Sequence, residues 1–159
     1  MENEKINEYT RRITQSNRSG LLVIMYEIAG TYLEDAKNCL EKGEKEAFKE
    51  NVRNADRVVR ELQEILDFKY ELSGNLYSLY AYCRRALAKS LTMQSTQGID
   101  EAGKILSRLE ASYRKLAEQD ESEPLMKHAG QVYAGITYGK KDLTENYNDR
   151  LEASRGFFA

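Results

Sequence analysis

The stretch FKENVRNADRVVRELQEIL, residues 48–66, decides the fold of this chain. Its apolar residues recur at alternating intervals of four and three positions, which places them along one face of an α-helix. Charged residues of both signs occupy most of the positions between them. The stretch therefore predicts an amphipathic helix that buries one face through Phe48, Val52, Ala55, Val59, Leu62 and Leu66.

Three further apolar stripes with helical spacing flank this one along the chain. They run from Leu22 to Leu40, from Leu76 to Leu91 and from Ala102 to Leu116. The only proline is Pro124, so no residue before it forbids a helix outright. The sequence therefore predicts four long amphipathic helices.

Glycines and one aspartate mark the expected ends of these helices. Gly43 is a natural C-terminal cap for the first stripe, and the helix of residues 48–66 is expected to end near Ser73 and Gly74. The third stripe runs out at Gly98, and Asp100 is the expected N-cap of the last helix. A glycine inside a helix also allows a neighbouring helix to approach closely, and two are candidates for this role, Gly30 and Gly103.

Long helices joined by short connections pack as antiparallel neighbours. We therefore predict an all-α fold, an antiparallel up-down four-helix bundle over residues 19–123 within a chain of 159 residues. Residues 1–18 form an N-terminal segment with a weak apolar stripe, expected to be a short helix on the bundle, made by Ile6, Tyr9 and Ile13. Residues 124–159 are predicted to be an irregular extension that packs on the bundle or on a neighbouring chain, with a short polar helix over 143–155.

The composition argues against nucleic-acid and membrane partners. The formal net charge is −2, whereas proteins that bind a phosphate backbone are usually basic. No apolar run approaches the roughly 20 residues that a membrane span needs, and the acidic start does not resemble a signal peptide. Cys39 and Cys83 have no motif spacing, so we expect reduced thiols, buried as small apolar residues, and a cytoplasmic protein.

Helical bundles can also hold metals or catalytic groups, but the residues for such sites are missing. A di-iron bundle uses a glutamate three residues before a histidine, and the single histidine, His128, has none there. Zinc sites need clustered cysteines and histidines, which this chain lacks. We therefore predict no enzyme activity, no catalytic residue, no metal and no cofactor.

The stretch NLYSLYAYCRR, residues 75–85, concentrates three tyrosines and two arginines on one predicted helix. Helical geometry assigns one set of side chains to the core, Leu76, Leu79, Tyr80 and Cys83 together with the following Leu87. The remaining large side chains are left at the edge or on the surface, namely Tyr77, Tyr82, Arg84 and Arg85. Tyrosine and arginine are enriched at protein interfaces, so this outer set predicts a protein-binding surface.

With these residues in view, the sequence resembles the FliS-type flagellar export chaperones, which bind flagellin in the bacterial cytosol. The stretch NLYSLYAYCRRAL, residues 75–87, is close to the most recognisable motif of that family, and Tyr9 falls where the family has an N-terminal tyrosine. The stretches LLVIMYEIAGTYLEDAK (21–37) and NADRVVRELQEILDF (54–68) are similar to its first two helices. The chain departs from the family in having SNRSG in place of a Ser-Pro before the first helix, and in its extension after residue 123.

The resemblance implies a cytosolic chaperone that captures the disordered C-terminal segment of flagellin as helices in surface grooves, prevents its premature polymerisation and aids its secretion. Other flagellar export factors are additional candidate partners. The N-terminal segment is expected to cover part of a groove and to yield to the client. The candidate client-binding residues are Tyr9, Ile13, Met25, Tyr26, Val58, Ile65, Tyr77, Tyr82, Arg84 and Arg85.

The extension after residue 123 carries apolar residues on a polar background, ending in Phe157 and Phe158. We expect it to occupy a client groove, either in its own chain or by exchange in a homodimer. The alternative to the chaperone is a non-flagellar helical adaptor or scaffold that uses the same bundle. Binding of a flagellin C-terminal peptide distinguishes the two.

Overall fold

The computed structural model of the chain describes residues 3–126, which are folded into α-helices. These residues contain no strand, so the prediction of an all-α fold is confirmed. The helices of this region are, in chain order, α1 (Asn3–Gln15), α2 (Arg18–Glu41), α3 (Lys45–Glu64), α4 (Leu72–Met93) and α5 (Gln97–Glu118).

Helices α2 to α5 enclose one hydrophobic core. Both α2 and α4 contact α3 and α5, so the four helices close into a ring, while α1 packs on α2. The predicted stripe of α3 lies at the centre of this core, and Leu66 packs half-buried against it. Complete burial of one such side chain stabilises the fold by about 1.5–3 kcal/mol. The stripe residues without measurable exposure are Phe48, Val52, Ala55 and Val59.

The connection between α3 and α4 differs from the prediction. Helix α3 ends at Glu64, and Ser73 and Gly74 lie in the first turn of α4, so the expected end near those two residues is wrong. The reason is a compact turn in which the backbone N–H of Tyr70 and the hydroxyl of Ser73 both donate to the carbonyl of Asp67. This turn places the residues between the two helices at a corner of the bundle.

The start of α5 also differs from the prediction. The N-cap is Thr96, and Asp100 lies one turn inside the helix, where its backbone N–H donates to the carbonyl of Thr96. Its carboxylate instead forms an ion pair with Lys37 of α2. By contrast, Gly43 follows the end of α2 with a left-handed φ of 75°, as expected for a helix-ending glycine.

The N-terminus of α2 is joined to the C-terminus of α5 by polar contacts. Asn17 is the N-cap of α2, since its Oδ1 accepts the backbone N–H of Gly20 at 2.9 Å. Its amide group donates to the carbonyl of Asp120 at 2.9 Å, and the hydroxyl of Ser19 donates to the Asp120 carboxylate. Hydrogen bonds from Ser122 and Ser19 lower the pKa of Asp120 to about 2. The asparagine of SNRSG therefore caps α2 and also contacts the end of α5.

Close helix approach occurs at a glycine other than the two expected. Gly30 has no atom within 4 Å of the position that a Cβ would take, and at Gly103 the nearest is Leu33 Cδ1 at 3.8 Å, an ordinary contact. At Gly98, in the first turn of α5, a Cβ would lie only 2.1 Å from the carbonyl oxygen of Ala86 in α4. The absence of a side chain at Gly98 therefore permits the contact between α4 and α5.

The chain divides into two compact units, Met1–Leu125 and Met126–Ala159. The expectations for the extension, including the helix over 143–155, its docking and a homodimer formed through it, lie outside the described residues. So does His128.

Replacing Gly98 by alanine should lower the free energy of unfolding by about 2 kcal/mol, because the added methyl group forces α4 and α5 apart. Urea unfolding followed by circular dichroism measures this. Gly30→Ala is the matched control and should raise stability by about 0.5–1 kcal/mol, since Gly30 lies in a helix with open space around it. Equal effects of the two substitutions would contradict the close approach.

Candidate functional site

The tyrosine-rich stretch of α4 divides between core and surface. Leu76, Tyr80 and Cys83 are buried, as predicted. Leu79 is 38% exposed, so its predicted core position is wrong. The buried face of α4 is centred on residues 76, 80, 83 and 87, and Leu79 is turned about 100° from Tyr80, outside that face. Tyr77 and Tyr82 are both exposed, as expected for the outer set.

Tyr26 was predicted to bind the client, but the structure places it in the core with 1% exposure. Its hydroxyl forms a hydrogen bond with the hydroxyl of Tyr80, and its ring centre lies 5.4 Å from that of Tyr113. Burial, which disfavours the charged form, raises the pKa of both hydroxyls, that of Tyr80 to about 12. Tyr26 is therefore a structural residue in this state, and the core prevents a client from reaching it.

A surface groove runs between α3 and α4, with a volume of about 460 Å³. We call it the α3–α4 groove. The wall from α3 carries Arg53, Asp56 and Gln63, and each of these residues follows a buried residue of the core stripe. The wall from α4 is built in a similar way, since most of its residues follow a buried one, whereas Leu87 is itself buried and Arg85 is exposed. This wall consists of Tyr77, Ala81, Arg84, Arg85, Leu87, Ala88 and Leu91.

Arg84 links the two walls of the groove. Its Nε donates to Oδ1 of Asp56 at 2.9 Å, and its Nη1 donates to Oε1 of Gln63 at 3.3 Å. The hydrogen bond to Asp56 raises the pKa of Arg84 above its usual value. Arg53 and Arg85 are exposed on opposite walls. The structure thus brings together three predicted residues, Tyr77, Arg84 and Arg85.

Tyr82 belongs to a different surface. Its hydroxyl donates to Oε2 of Glu101 in α5 at 2.9 Å, and this hydrogen bond raises the pKa of Tyr82. The residue therefore faces the α4–α5 side of the bundle and does not line the α3–α4 groove.

The corner formed by the α3–α4 connection exposes several large apolar side chains. We call this the apolar corner and define it by Ile65, Phe68, Tyr70 and Leu72, which are 49–69% exposed. Ile65, Tyr70 and Leu72 also border a cavity of about 290 Å³. The floor of this cavity reaches the core at Leu62, Leu76, Tyr80 and Tyr113.

Of the four residues of the apolar corner, only Ile65 was predicted from the sequence. The sequence carried a signal for the other three, because they are apolar residues in the connection between two helical stripes. A surface connection of this kind is normally polar. The ring centres of Phe68 and Tyr77 lie 5.9 Å apart, so the apolar corner adjoins the α3–α4 groove.

Helix α1 is held against α2 by polar contacts, and α5 shares one of their acceptors. The hydroxyl groups of Tyr9 and Thr31 form a hydrogen bond of 3.0 Å. Arg12 donates two hydrogen bonds to the carboxylate of Glu27, at 2.6 and 3.0 Å, and Arg114 of α5 donates a third at 2.7 Å. Burial by itself would raise the pKa of Glu27, but these hydrogen bonds lower it below its usual value. Tyr9 was predicted from the sequence, but the Arg12–Glu27–Arg114 cluster was not, because its members are far apart in sequence.

The other predicted residues lie apart from the α3–α4 groove. Ile13 is half-buried on α1. Met25 of α2 and Val58 of α3 are half-buried and pack against the core. Thus the ten candidates do not form one site. They divide among the α3–α4 groove, the apolar corner, the α4–α5 side, the region of α1 and the core.

The described residues also bear on metal binding, membrane spanning and the state of the cysteines. Residues 3–126 contain no cluster of three or more histidine, cysteine, aspartate or glutamate side chains that could hold a metal ion. None of the helices in this region is long and apolar enough to cross a membrane. Both cysteines are free thiols, with Cys83 buried as predicted and Cys39 only half-buried.

A family model described as "Flagellar protein FliS" matches residues 1–120. No individual curated protein matches the chain. The matched range includes α1 to α5 and therefore both the α3–α4 groove and the apolar corner.

Replacing Tyr26 or Tyr80 by phenylalanine should cost about 1–3 kcal/mol each, because either change leaves one buried hydroxyl without its partner. The double Phe variant should lose much less than the sum of the two. Urea unfolding of the four proteins at pH 7 measures the coupling, and additive losses would contradict the hydroxyl pair.

The native chain and the double Phe variant should also differ in stability at alkaline pH. Since folding raises the pKa of both tyrosines above their ordinary value of 10.0, their contribution to stability is complete below pH 10 and is lost as the pH rises toward 12. Urea unfolding should therefore show that the double Phe variant loses less stability than the native chain as the pH rises above 10.

Proposed function

Because the chain belongs to the FliS family of flagellar proteins, whose role is that of export chaperones and not enzymes, we propose that it is a cytoplasmic flagellin chaperone. In this proposal it binds the disordered C-terminal segment of flagellin, which folds into helices on the bundle surface. Covering that segment prevents premature polymerisation and keeps the flagellin competent for secretion.

The α3–α4 groove is the observation that best supports this proposal. Residues Tyr77 to Leu91 of α4 span about 21 Å at the helical rise of 1.5 Å per residue, enough for about four turns of a bound helix. Ala81 and Ala88 have small side chains, which allow the backbone of a bound helix to approach closely. An amphipathic helix that lays its apolar face in a groove is a common mode of peptide recognition.

The apolar corner supports a binding surface that continues beyond the groove. Exposed apolar patches of several hundred Å² are rare on monomers and mark interaction sites. The four side chains of the apolar corner are 49–69% exposed. Together they reach that size, because the surface of each aromatic side chain alone is about 150–250 Å². A segment that orders on binding can follow both surfaces, since it adapts its shape as it folds.

Helix α1 is the proposed displaceable cap of a second groove. It borders a cavity of about 420 Å³ whose apolar wall includes Val23 and Ile24 of α2 and Ala117 of α5. Its side-chain contacts to α2 are polar, from Tyr9 to Thr31 and from Arg12 to Glu27, and no described residue of α1 belongs to the hydrophobic core. A client helix with a larger apolar face can therefore replace α1.

The up-down order of α2 to α5 is part of this proposal. Two contacts support it for the pair α2 and α5, because Lys37 near the end of α2 pairs with Asp100 near the start of α5, and Glu27 pairs with Arg114.

Other flagellar export factors remain proposed partners of the loaded chaperone. A non-flagellar adaptor would share the bundle but would not bind flagellin.

Replacing Ala88 by leucine should weaken binding of a flagellin C-terminal peptide at least tenfold, because the larger side chain fills the α3–α4 groove. Isothermal titration calorimetry measures the affinity. Ala111→Leu makes the same change on the exposed face of α5 and should leave binding unaltered. Both alanines are on helix surfaces, so neither substitution should unfold the bundle. Unchanged affinity of the Ala88→Leu variant would mean that the client binds to another surface. A native chain that binds no flagellin peptide would exclude the chaperone role.

Replacing Arg12 by alanine should increase the affinity for the flagellin peptide several-fold, because a loosened α1 raises the fraction of molecules with an open groove. Hydrogen exchange of α1 amides should accelerate in the same variant. Arg11→Ala is the control, since it removes an exposed arginine from the same helix. Faster exchange without tighter binding would mean that α1 does not compete with the client.

A further inference from the structure

The charges lining the α3–α4 groove are unevenly distributed. Three arginines and one aspartate line it, a net charge of +2, whereas the whole chain has a net charge of −2. The groove is therefore locally basic on an acidic protein.

Only part of this positive charge is neutralised within the fold. Asp56 accepts two hydrogen bonds from Arg84, at 2.9 and 3.4 Å, and so compensates that guanidinium. Neither Arg53 nor Arg85 forms an ion pair with a carboxylate of residues 3–126. Arg53 interacts with the Glu46 carboxylate only through a Coulombic attraction without an ion-pair contact, and both arginines are exposed, so the two guanidinium groups can meet a ligand.

These two arginines stand on opposite walls. Arg53 belongs to α3 and Arg85 to α4, and the small side chains of Ala81 and Ala88 contribute to the surface of the groove. A helix lying in the groove would place a narrow apolar stripe over these alanines and would present one flank to each arginine. Positive groups on either flank would be repelled, whereas carboxylates would be attracted.

We propose that the α3–α4 groove selects an acidic amphipathic helix, one whose apolar stripe has carboxylates on both flanks that meet Arg53 and Arg85. This inference rests on the proposed function and names the chemical class of the client segment that the groove accepts. Charge complementarity of this kind chiefly sets specificity, since it penalises partners of the wrong charge.

The test uses two fluorescent probe peptides of about 18 residues, long enough to cover the groove. Both have the same stripe of alanine and leucine, but one carries glutamate at the flanking positions and the other lysine. The native full-length chain should bind the glutamate peptide about tenfold more tightly in fluorescence anisotropy at low salt. The preference should shrink at high salt, because exposed charges are screened.

The decisive variant is Arg53→Glu/Arg85→Glu, which should reverse the preference so that the lysine peptide binds more tightly. Lys104→Glu/Arg108→Glu makes the same change in net charge at two exposed positions of α5 and should keep the preference of the native chain. Both double variants alter only exposed side chains, and circular dichroism checks that they are folded.

Three outcomes would overturn the inference. The first is equal affinity of the native chain for the two peptides, and the second is an unchanged preference after Arg53→Glu/Arg85→Glu. The third is the same reversal in the α5 control, which would assign the effect to total charge. If any of these occurs while Ala88→Leu still weakens binding of the flagellin peptide, the chaperone function stands and only the charge selection fails. If the native chain binds no flagellin peptide, the proposed function fails whatever the probes do.

Discussion

Burial of the α3 stripe is the constraint on which the remaining structure depends. Because Phe48, Val52 and Leu62 face inward, they fix the rotation of α3 about its axis. The residue after each buried position must then lie at the edge of the helix, about 100° away. Arg53, Asp56 and Gln63 occupy such positions, so the core stripe also determines which polar side chains line the groove.

The same rule explains how α4 combines packing and recognition. Leu76, Tyr80, Cys83 and Leu87 are buried, and the residues that follow them line the groove, namely Tyr77, Ala81, Arg84 and Ala88. The two helices thus meet at matching edges, and the Arg84–Asp56 pair forms where these edges face each other. A substitution in the inner row would change the core, whereas one in the outer row changes the surface that a partner meets. The family motif therefore contains both kinds of residue side by side.

Contacts at the helix ends are different in kind from those in the core. Glu27 receives hydrogen bonds from Arg12 of α1 and Arg114 of α5, and Asn17 connects the start of α2 to the end of α5. The contacts of α1 itself are polar, and no described residue of α1 belongs to the hydrophobic core, so the core does not depend on them.

The sequence by itself determined the helices and, apart from Leu79, the split of the family motif, because helical periodicity is a local property that a single stripe such as Phe48–Leu62 displays. It could also separate Tyr77 and Arg84 from Tyr80, since one turn of a helix places them on different sides. Tertiary structure alone decided the rest. It buried Tyr26 through its contacts with Tyr80 and Tyr113, made Gly98 the point of closest approach, and assigned Tyr82 to Glu101. Each of these depends on which surface a neighbouring helix presents, and residues distant in the chain carry no local signal of that pairing.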